Sequence, residues 1–202
     1  MSDLKTNSTK DRKGARRRLL LDSAITLFAR YGFHATTVPM IVAEAGCSIG
    51  SFYLHFRDKE DIFHAALEEL DHALFAILDG VNTSESDPLK TIPRGVEALC
   101  LFLARNPEQA RILIIESSGL SPRLEETRRN ILSRHEEIVR QALESAPDLF
   151  GSENTTVTKR CIAGSALEAL YCWLDENPNT RMSAADVARA VARFNSQAIR
   201  KI

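Results

Sequence analysis

The side chains best suited to chemistry lie in one short stretch, CSIGSFYLHFRDK, at positions 47 to 59. It supplies hydroxyl, phenol, imidazole and ammonium groups from Ser48, Ser51, Tyr53, His55 and Lys59. Such groups can donate hydrogen bonds to phosphate oxygens and base edges. The sequence has no G-x-S-x-G, H-E-x-x-H, P-loop or dinucleotide fingerprint, and Cys100 with His135 fits no catalytic motif. We therefore expect a binding protein that needs no cofactor, not an enzyme.

Three helices must position this stretch. Apolar residues recur every three or four positions from Arg16 to Tyr31, which predicts a first helix that stops at Gly32. Thr37 is a good N-cap for a second helix ending before Gly46, and Ser48 caps a third. Because only a tight turn separates the last two, they must meet at a steep angle. This arrangement is that of a helix-turn-helix.

In a helix-turn-helix, one face of the third helix packs inward and the other enters the DNA major groove. Phe52 and Phe56 share one face and are predicted to pack with Phe28 and Ile41. The start of the helix, with Ser48, Ile49, Gly50 and Ser51, is left for base edges and phosphates. Glycine costs about 1 kcal/mol in a helix, and close approach to another surface would explain Gly50.

The run GFHATTVPMIVAEAGCSIGSFYLHFRDKEDIF, residues 32 to 63, resembles the DNA-binding signature of the TetR/AcrR family of bacterial transcriptional regulators. The matching positions are Gly32, Thr36, Thr37, Ile41, Ala45, Gly46, Ser48, Gly50, Phe52, Tyr53, His55, Phe56, Lys59 and Glu60. The resemblance covers about the first 65 residues; the rest is similar only in length and helical pattern. It implies a homodimer that binds a palindromic double-stranded operator, usually represses, and releases DNA when a small molecule enters the C-terminal domain.

Carried over by position, the resemblance implies that Thr37 contacts phosphate at the start of the second helix. The recognition positions are Ser48, Ile49, Gly50 and Ser51, and the phosphate clamp is Tyr53, His55 and Lys59. Many relatives carry charged residues where this chain has Pro39 and Met40, and this departure argues against a phosphate contact there. Ile49 replaces a commonly polar reader, and its side chain suits a thymine methyl group better than a hydrogen bond to guanine.

Charge is divided unevenly along the chain. Residues 1–60 hold ten Lys and Arg against six Asp and Glu, a net of +4, so the remainder carries −5 of the total −1. A basic head favours a polyanionic partner. The tail KDRKGARRR is either a phosphate or minor-groove arm, or a solvated disordered segment. With no signal peptide, no apolar run long enough to span a membrane and no C-x-x-C pair, we expect a cytoplasmic, reduced protein with buried thiols.

The rest of the chain also predicts helices, at about 59–79, 88–105, 107–118, 121–145, 155–175 and 183–202, with a polar break at 81–87. No segment shows convincing strand alternation. The fold class is therefore all-α: a three-helix DNA-binding head at residues 1–64, joined by a fourth helix to a larger ligand-binding and dimerisation bundle at residues 65–202.

The apolar excess between Leu99 and Ile115 predicts a pocket for a hydrophobic or amphipathic inducer, either lipid-like or aromatic. Its candidate lining is Leu99, Phe102, Leu103, Arg111, Ile115, His135 and Trp173, although ordinary core packing would explain each of them. Small and apolar residues on the last two helices predict a four-helix dimer interface through Gly164, Leu167, Tyr171, Val187, Val191 and Phe194. Packing within one chain is compatible with the same pattern.

Two other functions remain open from the sequence. His64, Glu68 and His72 are spaced by four and line one helix face, which would suit a metal-responsive regulator, although no cysteine or third histidine lies near. A helical protein- or ligand-binding module is the other alternative. That module would leave the 48–59 stretch and the basic head unexplained.

Overall fold

The computed structural model describes residues 3–84, 87–146 and 155–199, and for residues 3–12, 83–84 and 155 the backbone alone. The regular elements in these ranges are all helical, as the sequence predicts. They are α1 (Asp3–Ala35), α2 (Val38–Glu44), α3 (Ile49–Tyr53), α4 (Lys59–Ser84), α5 (Pro88–Arg105), α6 (Pro107–Arg111), a π-helical turn (Ile112–Glu116), α7 (Pro122–Glu144), α8 (Thr155–Asp175) and α9 (Ala184–Ile199).

The chain divides into two compact units, a head unit (Met1–Glu68) and a body unit (Glu69–Ile202). The division falls four residues beyond the predicted boundary, within α4. No helix in the described ranges is long and apolar enough to cross a membrane.

The core of the head unit is built from aromatic and aliphatic side chains of α1 to α4. Phe28, Phe52 and Phe63 are fully buried, and the rings of Phe28 and Phe63 meet edge to face with centroids 4.9 Å apart. Phe56 is buried beside Phe52, as predicted, with centroids 5.7 Å apart. Ile41 is fully buried as well. Fixing these rings orients the short helices α2 and α3.

The first helix differs from its predicted bounds at both ends. It begins at Asp3 and not near Arg16, because a mostly polar stretch of helix has no apolar periodicity by which to detect it. The helical path breaks at Gly32, whose φ of 80° suits glycine, and a helical turn then continues to Ala35. The hydroxyl of Thr36 donates to the carbonyls of Leu27 and Gly32 and ties this turn to α1.

In the body unit, α9 packs most extensively against α5, while α7 packs on α8. Gly95 allows close approach, because a methyl group there would lie 3.1 Å from a methyl of Leu78. The predicted break at 81–87 begins too early, since α4 continues to Ser84. The helix predicted at 107–118 contains the π-helical turn. The predicted end of the last helix at 202 lies outside the described residues.

The four cysteines are free, but their predicted burial is only partly correct. Cys100 is buried and Cys47 is half-buried. Cys161 and Cys172 are exposed because they lie on the outward face of α8. A cysteine in an apolar segment of sequence is therefore not necessarily buried in the fold.

Candidate nucleic-acid interface and ligand cavity

Two capped helices and a glycine turn build the candidate nucleic-acid interface of the head unit. The amide of Met40 donates to the hydroxyl of Thr37 at 3.4 Å, and the amide of Ser51 donates to the hydroxyl of Ser48 at 3.1 Å. Gly46, with φ of 59°, makes the turn between them. The sequence therefore correctly predicts where α2 and α3 begin.

Part of α3 faces outward. Ile49 is 50% exposed and Tyr53 is 57% exposed, although both are large side chains that usually bury more of their surface. Ser48 and Gly50 are exposed beside them, and a methyl group at Gly50 would meet only the Ser48 hydroxyl, at 3.9 Å. This face is open to close approach by another surface.

Ser51 corrects the predicted set of base-reading residues. Its side chain is only 5% exposed, and its hydroxyl oxygen is buried without a hydrogen-bond partner. Ser51 precedes Phe52, which is fully buried, and both lie on the side of α3 that packs against the core. In this arrangement Ser51 supports the helix and does not present its hydroxyl at the surface.

Three cations of α1 lie near His55, just after the end of α3. Lys13, Arg16 and Arg17 are exposed on α1, and the Arg17 guanidinium lies 5.1 Å from the ring centroid of Phe56. Burial lowers the pKa of His55, and the nearby charges of Lys13, Arg17 and Arg16 lower it further. We call Lys13, Arg16, Arg17 and His55 the basic cluster. A bound phosphate would relieve the repulsion within it.

The amine of Lys59 is bonded to the C-terminal end of α1. It donates to the carbonyl of Phe33 at 2.6 Å and to that of His34 at 3.3 Å, and it lies 4.3 Å from the Phe33 ring centroid. Partial burial lowers the pKa of this amine. The phosphate contact implied by the resemblance would compete with these bonds, so Lys59 is better explained as a structural support.

The structure describes the side chains of only part of the predicted DNA-binding tail. The backbone of α1 is helical from Asp3, but side chains are described only from Lys13 onward. The contribution of residues 1–12 therefore stays a prediction. Grouping the later part of the tail with His55 needed the tertiary structure, because the residues are about forty positions apart in sequence.

The body unit contains a cavity between α4, α5, α7 and α8. The space is about 860 Å³, counting the part that opens to solvent. Leu99, Leu103 and His135 line it, as predicted. The prediction missed much of the wall, which includes Leu74, Leu78, Val96, Ile138, Val139, Ala142, Ile162, Ala166 and Leu170. Helical periodicity indicated that these residues are buried but could not show that their helices leave space between them.

Four predicted lining residues, Phe102, Arg111, Ile115 and Trp173, are not part of this wall. Trp173 is buried elsewhere, where its indole N–H donates to the carbonyl of Met182 at 2.8 Å and the Arg181 guanidinium stacks 3.7 Å from its ring centroid. Arg111 lies 3.8 Å from Glu116. The π-helical turn directly after Arg111 changes the facing of later residues, including Ile115, relative to a regular α-helix.

The buried titratable groups of the cavity wall are His135 and Cys100, and burial raises the pKa of the Cys100 thiol to about 12. The Nε2 of His135 lies 3.8 Å from Oδ1 of Asp71, whose Oδ2 lies 2.8 Å from the guanidinium of Arg134. Burial lowers the pKa of His135, an effect that Asp71 partly offsets and Arg134 reinforces. Both ring nitrogens and Asp71 Oδ1 are buried without hydrogen-bond partners.

The predicted dimer residues separate into two groups. Gly164, Tyr171 and Phe194 are exposed, and a methyl group at Gly164 would meet nothing within 4 Å. Val187 and Val191 are each 6% exposed because this side of α9 packs within the chain, and Leu167 lines the cavity. Val187 and Val191 are therefore corrections to the predicted interface, whereas the half-buried Leu167 stays a prediction. Exposed Val157, Cys161 and Cys172 adjoin the first group on α8.

The described residues contain no group of three or more His, Cys, Asp or Glu side chains that could hold a metal ion. His64 instead pairs with Glu68, with Nδ1 and Oε2 3.3 Å apart. The spacing of His64, Glu68 and His72 along one helix therefore receives no further support as a metal site.

The match to a known family covers the helix-turn-helix of the head unit. The family model for bacterial regulatory proteins of the tetR family matches residues 20–66. A transcriptional repressor of Mycobacterium tuberculosis with a helix-turn-helix is 38% identical over 69 residues, covering 34% of this chain and 37% of the repressor. The first curated relatives are matched over less than two thirds of their own length.

Solved structures match almost the whole fold. The fatty acid degradation regulator FadR of Bacillus halodurans has a TM-score of 0.78 and 18% identity, covering 90% of this chain and 94% of that one. FadR of Bacillus subtilis, solved in complex with stearoyl-CoA, also has a TM-score of 0.78, with 17% identity and coverage of 89% and 97%. At these identities the likeness establishes the fold alone. Residues 20–66 therefore match the DNA-binding model of the tetR family of bacterial regulatory proteins, and the chain has the fold of solved regulators of that family.

Proposed function

We propose that this chain is a ligand-responsive transcriptional regulator, most simply a repressor, that binds a palindromic DNA operator as a homodimer. The observation that carries the proposal is the juxtaposition of the outward face of α3 with the basic cluster. The first offers side chains to base edges, and the second offers positive charge to phosphates. The tetR family model matches residues 20–66, which include α3 and Arg57 to Lys59 after it.

The roles within this interface follow from exposure and chemistry. Ser48, Ile49 and Gly50 face outward at the start of α3 and are proposed to meet the bases. Ile49 has no hydrogen-bonding group, so it would contact a thymine methyl. Thr37, Tyr53 and the basic cluster are proposed to bind phosphates. Two heads of a dimer would place their recognition helices about 34 Å apart, one turn of B-DNA.

The ligand is proposed to enter the cavity of the body unit. Its wall is largely apolar, as expected for a hydrophobic or amphipathic small molecule. The Bacillus subtilis FadR structure contains stearoyl-CoA, which shows that a similar fold can hold a molecule with a long apolar chain. Suppose that a ligand stabilises the conformation that cannot bind DNA by about 1.4 kcal/mol relative to the one that can. The ratio of bound to free operator would then fall about tenfold.

The direct test is to select bound duplexes from a random DNA pool with the purified chain. We expect enrichment of one palindrome. Ile49→Ala should relax selection at one or more thymine positions and leave the rest of the site unchanged. Glu44→Ala, which changes an exposed side chain of α2, is the control and should leave the selected sequence unchanged. If folded dimer enriches no sequence at low salt, the regulator proposal is wrong and a protein- or ligand-binding module takes its place.

The dimer is proposed to form through the exposed side of α8 and α9. Tyr171 is 47% exposed and Phe194 is 59% exposed, and apolar surface of this kind is a common feature of subunit interfaces. Phe194→Lys should convert the dimer to monomer in sedimentation experiments, whereas Ser133→Lys on the exposed side of α7 should not. A Phe194→Lys protein that remains dimeric would place the interface elsewhere.

A further inference from the structure

Two polar residues of the body cavity lie at one end of it. Asn82 is near the end of α4 and Thr91 is near the start of α5, and both line the cavity. The same two residues line a second space of about 510 Å³, counting the part that opens to solvent, with Gln141 and Ser145 at the end of α7. Asn82, Gln141 and Ser145 are exposed to water. We call Asn82, Thr91, Gln141 and Ser145 the polar end of the cavity.

Away from the polar end, the described lining residues offer a ligand no strong hydrogen-bonding side chain. His135 is part of the wall, but both of its ring nitrogens are buried out of reach of water, and therefore of a ligand. Cys100 is buried, and burial raises the pKa of its thiol to about 12, so it stays an uncharged and weak hydrogen-bond donor. The other described residues of this inner wall have aliphatic side chains or are glycine.

The inner wall extends far from the polar end. On α5 the lining runs from Thr91 to Leu103, and on α7 it runs back from Ala142 to Leu132. Steps of twelve and ten residues along a helix span about 18 Å and about 15 Å. Ala142 also lines the second space, so both rows begin at the polar end. The cavity therefore has one polar end and a long hydrocarbon part beyond it.

This division determines where a ligand can carry polar groups. A hydroxyl group taken into the inner part would lose its hydrogen bonds to water and gain none from the wall. Such a loss weakens binding by about fivefold to 150-fold. The same hydroxyl placed at the polar end stays beside water and beside the side-chain amides of Asn82 and Gln141. Polar groups are therefore tolerated at one end of the ligand and penalised along the rest of it.

We propose that the cavity binds an amphipathic molecule whose polar groups are all at one end, held at the polar end beside Asn82, and whose remaining part is an unsubstituted hydrocarbon chain. The inference rests on the proposed function only in taking the cavity to be the ligand site. It deepens that function by naming the class of ligand: an amphipath with one polar head, and not a molecule with polar groups at both ends or along its length.

Two isomers test where the polar groups must be. In 1,2-decanediol both hydroxyl groups are at one end of the chain, whereas 1,10-decanediol has one at each end. The two probes have the same atoms and the same chain length. Calorimetric titration of the full chain should show 1,2-decanediol binding about fivefold to 150-fold more tightly, because 1,10-decanediol must bury a hydroxyl group against the inner wall.

Two variants change one part of the cavity each. Val139→Thr puts a hydroxyl group on the inner wall and should reduce the preference for 1,2-decanediol severalfold, whereas Val38→Thr in the head unit should leave it unchanged. Asn82→Leu removes the exposed amide of the polar end and should weaken 1,2-decanediol by about two- to tenfold. Its control is Asn130→Leu on the exposed side of α7. Because Asn82 is exposed, this second variant keeps the test available if Val139→Thr misfolds.

Several outcomes would overturn the inference: equal or tighter binding of 1,10-decanediol, a preference between the isomers that folded Val139→Thr leaves unchanged, 1,2-decanediol binding that Asn82→Leu does not weaken, or no binding of either isomer. Selection of operator DNA by the unliganded protein is measured in parallel. If DNA selection succeeds while the diols fail, only the ligand class is wrong. If DNA selection fails as well, the regulator proposal fails separately.

Discussion

The site proposed for DNA lies on the surface of the head unit, whereas the site proposed for a ligand lies inside the body unit. The head buries phenylalanines and leaves Ile49 and Tyr53 outside on a helix of five residues. The body turns its chemistry inward, with His135 in the wall of an apolar cavity. A long polymer such as DNA can be met only at a surface, whereas a small apolar molecule is bound best where water is excluded.

The difference also determines how each site tolerates change. At the surface of the head, a side chain can be replaced without leaving a hole, so DNA binding and stability should be separable. In the body, the cavity wall is also the core, so ligand binding and stability should change together. The following predictions test this separation, beginning with the largest effect.

The largest effect should come from removing the core of the head. Phe52→Ala deletes a fully buried ring and should cost about 3–5 kcal/mol of unfolding free energy, a large part of the stability of a small unit. DNA binding should be lost. The chain has one tryptophan, Trp173, so its fluorescence reports unfolding of the body, which should be little changed.

The neighbouring residue provides the control for this experiment. Tyr53→Ala removes an exposed ring from the same helix and should leave the stability of the head nearly intact while weakening DNA binding. Equal losses of stability from Phe52→Ala and Tyr53→Ala would contradict the separation of surface and core in the head.

Next in size is the effect of removing charge from the basic cluster. Arg16→Ala combined with Arg17→Ala should reduce the slope of log affinity against log salt concentration by about 3.6 for the dimer, from two phosphate contacts in each head at about 0.9 each. Titrations of operator DNA over a range of salt concentrations measure this slope. Arg105→Ala with Arg189→Ala removes the same charge from exposed positions of the body, and an equal reduction there would mean that the cluster has no special role.

A single hydroxyl should have a smaller effect. Tyr53→Phe removes the proposed hydrogen bond to phosphate and should weaken operator binding by about 0.5–1.5 kcal/mol for each of the two heads, without changing which sequence is selected. Tyr31→Phe, at another partly exposed tyrosine of the head, is the matched control. If the two variants bind alike, the Tyr53 hydroxyl does not contact the DNA.

The smallest effect should be the pH dependence contributed by His135. Burial holds its folded-state pKa below the ordinary value of 6.5, so on acidification the unfolded chain takes up the proton first. This contribution to stability is present at higher pH and is lost as the pH falls through about 6.5 toward the folded-state pKa. Denaturation followed by Trp173 fluorescence at several pH values should show a flatter profile for His135→Phe. An unchanged profile would show that His135 does not titrate as its burial requires.

The sequence was most informative where a short segment determines its own conformation. The caps Thr37 and Ser48, the turn at Gly46 and the inward rings Phe52 and Phe56 are local features, and the structure has each of them. Ser51 and Lys59 show the limit of this reasoning. A family pattern states which residue occurs, but whether a hydroxyl is buried or an amine is already bonded depends on neighbours from other helices.

By itself, the sequence determined the all-α class and most helix positions, because capping and apolar periodicity act within a few residues. Its motif also indicated the tetR-type head. Tertiary structure decided which apolar residues surround a cavity, which side of α9 is left exposed, and that Lys13, Arg16 and Arg17 lie near His55. These features depend on how helices pack, and packing joins residues that are far apart in the chain. A periodic pattern shows that a helix has a buried side, whereas only its neighbours determine what that side meets.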